Sequence, residues 1–260
     1  MILQPMSDLH SDFPGFRGYP APAPGASVIV VAGDTRQGLA AALRELRAAY
    51  PPPLEVVVVA GNHEFWARPA LPAAIDEGRR VAADLGLHYL ENEVAVVGDA
   101  TGVRFAGCTL WSDYGLFGEA SRAAAMRAAL EGMRDHKRIK WSSNPWARFR
   151  PQEARALHLT SLAFLEAVLA THHPGPTVVV THFAPTIDAV SPPYRDGLLA
   201  ASACTELTPL IDRYQPAAWI SGHTHFSCRL RRGATTLMLS NPLGYPDERL
   251  GFDPLLTIEV

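Results

Sequence analysis

The chain lacks the raw material for several common functions. Its three cysteines, Cys108, Cys204 and Cys228, stand far apart with no CxxC pairing. Neither a disulfide framework nor a thiolate metal site is expected, and all three read as reduced thiols. No apolar run approaches the roughly 20 residues that a membrane span needs. The opening "MILQPMSDLH" has no basic flank and no long apolar core, so no signal peptide is read there and a cytoplasmic location is the expectation. An excess of one charge is missing too: 23 basic and 26 acidic residues leave a net charge of -3. That balance argues against a general electrostatic grip on nucleic acid or on acidic membranes. Repeats and low-complexity linkers are absent, so a single domain over 1–260 is expected, with 48% hydrophobic and 19% charged residues in the ordinary globular range.

What the chain does have is a series of short runs rich in Val and Ile that stop at polar, glycine-containing corners. The clearest are "SVIVVAGD" (27–34), "LEVVVVAGNHE" (54–64), "TVVVTH" (177–182) and "AAWISGHTH" (217–225). Such runs, bounded in this way, predict buried strands. Helical patterns lie between them at 36–50, 74–86, 119–133 and 151–172, with Gly86 and Gly132 placed as terminators. Strand alternating with helix predicts an α/β fold with helices outside the sheet. From Leu87 to Trp111, and again in the tail from Phe226, the rhythm shortens and predicts antiparallel meanders. "FPGFRGYPAPAPG" (13–25) reads as a loop.

In open α/β sheets ligands gather at the carboxyl ends of strands, and the polar corners fall there. In order they are Asp8-Leu9-His10, Gly33-Asp34, Gly61-Asn62-His63-Glu64, Thr181-His182 and Gly222-His223-Thr224-His225. Together they offer carboxylates, one carboxamide and imidazoles. If "GHTH" is extended, His223 and His225 face one way with Cα atoms about 6.6 Å apart, and Asp8 and His10 repeat that spacing. The residues alone leave open whether two such imidazoles hold neighbouring ions or decorate a loop.

The blocks "SDLH", "AGD", "AGNHE", "VTHFAP" and "SGHTH", in that order along essentially the whole chain, resemble the calcineurin-like metallophosphoesterase family. "GCTLWSDY" (107–114) and "SNPLGY" (240–245) are similar to its small single-domain branch. The resemblance implies a four-layer α/β/β/α sandwich of two mixed sheets flanked by helices. It also implies two metal ions, one held by Asp8, His10 and His225 and the other by Asn62, His182 and His223, with Asp34 bridging. In the family a hydroxide shared by the ions attacks phosphorus, and the residue matching His63 protonates the leaving group. A histidine near its ordinary pKa of about 6.5 suits that work. Glu64 reads as supporting, not catalytic. Nitrogen and oxygen donors without thiolate fit Mn, Fe or Zn.

The expected activity is hydrolysis of a small phosphoester, diesters ahead of monoesters, with no nucleic-acid or membrane partner. The alternatives are a non-catalytic protein-interaction scaffold on the same fold and a single-strand nuclease. Departures from family patterns narrow the choice. "GDTRQG" lacks the Asp-Arg-Gly phrase of the protein phosphatases, Gln37 stands where purple acid phosphatases place a tyrosine ligand, and Leu243 occupies a position where small-branch relatives often carry Arg. A capping domain of the nuclease kind is missing. His88, His158, His172 and His173 read as solvated or capping residues. The segment 134–150 interleaves six basic residues with Trp141, Trp146 and Phe149; it reads as a surface loop between helices or as a clamp for phosphate or a base. Residues 191–202 are a second candidate rim loop.

Overall fold

The computed structural model describes residues 1–260. Strands with apolar residues on both sides need cover on both faces, and the chain builds two such sheets. It enters with β1 (Ile2–Met6) and β2 (Val28–Ala32), then α1 (Leu39–Ala49), β3 (Glu55–Val59), α2 (Leu71–Leu85) and β4 (His88–Tyr89). These four strands run parallel in the order β1-β2-β3-β4.

The second sheet begins with β5 (Glu93–Val97) and β6 (Val103–Cys108), an antiparallel hairpin. After α3 (Glu119–Gly132) comes an excursion made of α4 (Asp135–Arg138) and the hairpin β7 (Lys140–Ser143) with β8 (Trp146–Arg148). Next come α5 (Pro151–Ala170), β9 (Thr177–Thr181), α6 (Thr208–Tyr214), β10 (Ala218–Ile220), β11 (Cys228–Arg232) and β12 (Thr236–Ser240). The order is β11-β12-β10-β9-β6-β5, with β12, β10, β9 and β6 parallel and both edges antiparallel. Finally β13 (Ile258–Glu259) returns to the first sheet, antiparallel to β1.

Side-chain alternation explains the layers. Val28, Val30, Val57, Val59, Val178, Val180, Ala218 and Ile220 form a core between the sheets. Their neighbours Ile29, Val31, Val56, Val58, Val179 and Trp219 point outward into the larger core that the helices cover. Leu39, Leu43 and Leu46 bury one face of α1 at helical spacing. In α5 Pro151 occupies the first turn and the Glu153 carboxylate accepts the Arg150 N–H at 2.9 Å, which settles one otherwise unpaired helix-start group. The result is two mixed sheets, face to face, with helices outside.

Three expectations need correcting. The stretch 87–111 is no single meander: β4 completes the first sheet and the chain then crosses to start the second. The tail likewise divides, β11 and β12 going to one sheet and β13 to the other. Segment 134–150 is not a loop but a short helix and a hairpin.

Candidate metal centre

All five polar corners follow the carboxyl ends of parallel strands: β1, β2 and β3 in one sheet, β9 and β10 in the other. The backbone ties the corners together. Asp8 donates its N–H to Gly33 O at 3.0 Å, His10 to Asp34 O at 3.0 Å, and Gly222 to His182 O at 2.9 Å. The buried Glu64 carboxylate accepts the N–H groups of Gly61 (2.8 Å), Asp34 (3.1 Å) and Thr35 (2.7 Å), so it pins the β2 and β3 corners to each other. Two glycines are forced by this crowding. A Cβ at Gly61 would collide with the Asp34 carboxylate, and one at Gly222 would lie 2.7 Å from Asp8 Oδ2.

The corners are not extended. Asp8, His10, Asp34, His223 and His225 all have φ between 47° and 67°, the left-handed region that Asp and His tolerate better than most residues. His223 and His225 are therefore not set side by side by strand alternation, yet the two do reach different groups. His225 Nε2 lies 3.0 Å from His10 Nε2 and 3.5 Å from Asp8 Oδ1. His223 Nδ1 lies 3.0 Å from Asn62 Oδ1 and 3.2 Å from His182 Nε2. Asp34 stands between them, Oδ1 3.5 Å from His182 Nε2 and Oδ2 4.0 Å from His10 Nε2. Asp8 with His10 and His225, and Asp34 with His182 and His223, each offer donor atoms within 4.8 Å of one another.

The chemistry of these donors fits cations. His182 Nδ1 spends its proton on the Ala32 carbonyl at 2.8 Å, which leaves a lone pair at Nε2. That lone pair sits 3.0 Å from Asn62 Oδ1. Asn62 has no proton to offer there, because its Nδ2 donates to the buried Asp135 Oδ1 at 2.8 Å. Moreover, Asp8, Asp34 and Glu64 are buried together; histidines are the only side-chain cation partners of Asp8 and Asp34, and Glu64 meets backbone N–H groups. Buried carboxylates need compensation of this kind.

Protonation follows the same crowding. Burial drives Asp34 well above the carboxylate range, with the charges of Glu64 and Asp8 adding to it. Burial also raises Asp8, but the His225 charge and hydrogen bond, followed by His182 and His10, outweigh it and hold Asp8 below its ordinary value. Burial lowers His225, yet Asp8 and then Glu248 carry it up to about 9. His10 is pushed down to about 3 and His182 also falls, burial leading in each case.

His63 is buried against Trp66, ring centroids 3.6 Å apart, with Nε2 3.3 Å from Tyr245 Oη and 3.8 Å from Asp34 Oδ2. It lines a cleft of about 290 Å³ with Asn62, Trp66, Arg134, His223 and Tyr245. Burial and the neighbouring His10 and His182 push its pKa down to about 2, so the ordinary value assumed from sequence does not hold. Residues 191–202 do not line this cleft. The four histidines read as solvated or capping divide: His158 is buried at the Leu110 carbonyl (3.2 Å), His88 pairs with Glu55 at 3.1 Å, His173 meets the Gly102 carbonyl at 2.8 Å, and His172 is exposed.

Three residues beside the corners have a part that motif reading did not assign. Asp135 orients the Asn62 amide and also accepts the Trp66 indole N–H at 2.7 Å. Glu248 meets His225 Nδ1 at 2.6 Å, and the Tyr245 ring stacks on His10 at 4.4 Å. "SNPLGY" pointed to Tyr245 without a role; nothing local marks Asp135 or Glu248.

The family of calcineurin-like phosphoesterases matches residues 6–227. That range ends before Tyr245 and Glu248. No curated protein matches the chain. Among solved structures, a phosphopantetheinyl hydrolase (PptH) of Mycobacterium tuberculosis superposes with a TM-score of 0.69 at 22% identity, over 94% of this chain and 89% of that one. A second superposes with a TM-score of 0.55 at 12% identity, over 93% and 90%.

Proposed function

The chain belongs to the calcineurin-like phosphoesterase family, a family of metal-dependent hydrolases of phosphoester bonds, and from that premise we propose a two-ion phosphodiesterase acting on small substrates. Asp8, His10 and His225 would hold one ion, Asn62, His182 and His223 would hold the other, and Asp34 would be shared between them. The carrying observation is the pair His182 Nε2 and Asn62 Oδ1, two acceptors 3.0 Å apart whose own protons are committed elsewhere. Bound ions supply charge to neutralise phosphoryl oxygens and to acidify a water near neutral pH. No thiolate contributes, which suits Mn, Fe or Zn.

The protein's own groups then divide the work. Glu248 fixes the ring of His225, as carboxylates do for ligating histidines. Asp135 presents the Asn62 oxygen, not its nitrogen, to the ion. His63 stands at the cleft wall beside Tyr245, placed to give a proton to the departing alkoxide. It is neutral in the free protein, and a phosphodiester anion supplies the negative neighbour that a buried imidazolium needs. The diester preference draws on the solved relative, because a phosphopantetheinyl group joined to a second alcohol is a phosphodiester. Residues 1–260 are read as one catalytic unit: Gln4 of β1 donates to Pro254 O at 2.7 Å, and Glu248 reaches a histidine of the site.

Metal analysis with turnover of bis(4-nitrophenyl) phosphate and 4-nitrophenyl phosphate, under Mn, Fe and Zn, tests the reading. Bound metal and faster diester turnover are expected; absence of both returns the chain to a scaffold. His63→Ala should keep its metal and slow alkyl-leaving esters about 10²-fold or more, with a smaller effect on nitrophenyl esters, which need no acid. Equal slowing overturns the acid role.

A further inference from the structure

Beyond the catalytic cleft lies a second one that no role yet covers. It measures about 480 Å³ and shares the Trp66 wall with the first. Its floor and far side come from α4 and the β7–β8 hairpin. Arg68, Lys137, Arg138, Lys140 and Arg148 line it, and no acidic side chain does. None of the five pairs with a carboxylate: Lys137 reaches the Glu131 carbonyl, Arg138 reaches the Gln37 amide, and Arg148 the Lys137 carbonyl. Five uncompensated cations in one cleft, on a chain of net charge -3, make a local field that a polyanion would answer.

The aromatic groups give the site shape. The Arg138 guanidinium lies over the Trp66 ring at 4.6 Å, and Arg148 lies 5.4 Å from the Trp146 ring centroid. Trp146 is 61% exposed, an unusual state for an indole that no core requires. A flat exposed indole beside unpaired arginines suits a planar ring next to phosphate. Arg134, one residue before α4, lines the catalytic cleft while Lys137 and Arg138 line the second, so one short stretch of chain serves both.

Resting on the phosphoesterase reading of the neighbouring centre, we propose that this cleft binds the non-reacting part of the substrate, a nucleoside-diphosphate-like group. Its phosphates lie among Lys137, Arg138, Lys140 and Arg148, and its ring lies on Trp146. The size decides against a strand of nucleic acid: the cleft suits one drug-sized ligand, and the overall acidic balance offers no continuing basic track.

Calorimetric titration of ADP into the Mn-loaded protein tests this, with pyrophosphate, inorganic phosphate and a ten-nucleotide oligothymidylate in parallel. Lys137 and Trp146 are exposed and Lys140 is half-buried, so unchanged melting temperatures should certify the fold. Lys137→Ala with Lys140→Ala should weaken ADP and pyrophosphate about tenfold or more and leave inorganic phosphate unchanged, since that ion needs only the metal centre. Trp146→Ala should weaken ADP several-fold and spare pyrophosphate. Unchanged ADP affinity in the double variant overturns the subsite, equal losses of ADP and pyrophosphate in Trp146→Ala overturn the ring contact, and tighter, steeply salt-dependent oligonucleotide binding overturns the choice of ligand. Heats of binding do not require turnover, so a silent hydrolysis assay would refute the catalytic reading separately.

Discussion

Asp135 shows how one buried side chain can choose the chemistry of another. A carboxylate only accepts hydrogen bonds, so Asn62 must turn its NH₂ toward it and its oxygen toward His182 and His223. Asp135→Asn keeps the shape but can donate, and the amide of Asn62 loses its fixed direction. Metal affinity should fall roughly 10–100-fold, measured by chelator competition, with the fold retained. Glu91 carries a prediction of another kind. It is buried with Oε2 accepting the Thr109 N–H and hydroxyl, and burial lifts its pKa to about 7 from the ordinary 4.5. The folded chain therefore holds this proton where the unfolded chain has released it. Stability from Glu91 is fullest below pH 4.5, declines as pH climbs toward about 7, and is level beyond. The shift corresponds to on the order of 3 kcal/mol. Glu91→Gln removes the titration, so the variant should gain on the wild type across that window in urea denaturation, and parallel curves would contradict it.

At the scale of elements, the site is made by the way strands end. The runs 27–34, 54–64, 177–182 and 217–225 were legible because a strand covered on both faces leaves an unbroken apolar signature, and β2, β3, β9 and β10 lie within them. β1 was not read as a strand, although its corner was. Pro5 interrupts the pattern there, tolerated because β13 pairs only with Ile2 and Leu3, so no ladder partner on that side needs its missing N–H. Two-residue strands such as β4 and β13 carry no periodicity, which hid the crossing between sheets. The donor residues were readable as motifs, whereas Asp135 and Glu248 act through side-chain contacts made by distant segments, and sequence distance conceals those. Corners this tight should not accept a Cβ. Gly61→Ala would press on the Asp34 carboxylate and should cost about 1–3 kcal/mol or more by chemical denaturation, with metal binding impaired alongside.

For the whole molecule, two sheets bring their carboxyl edges to a shared rim, and donors from both meet across it. No helix is long and apolar enough to cross a membrane. Ions held as proposed, by residues of both sheets, would cross-link them, so their removal should be felt globally. Dialysis against EDTA should lower the melting temperature, because a ligand at 100 times its Kd adds about 2.7 kcal/mol, and readdition of Mn should restore it. A melting temperature indifferent to chelation would count against ions shared between the sheets. The stacked column of His63, Trp66 and Arg138 has an optical consequence. One indole touches the proposed acid on one side and the basic cleft on the other, so its ultraviolet emission should change when either gains or loses charge. The protein thus carries a native fluorophore at the doorway between its two clefts, and ligand arrival can be timed there by stopped flow without any attached dye.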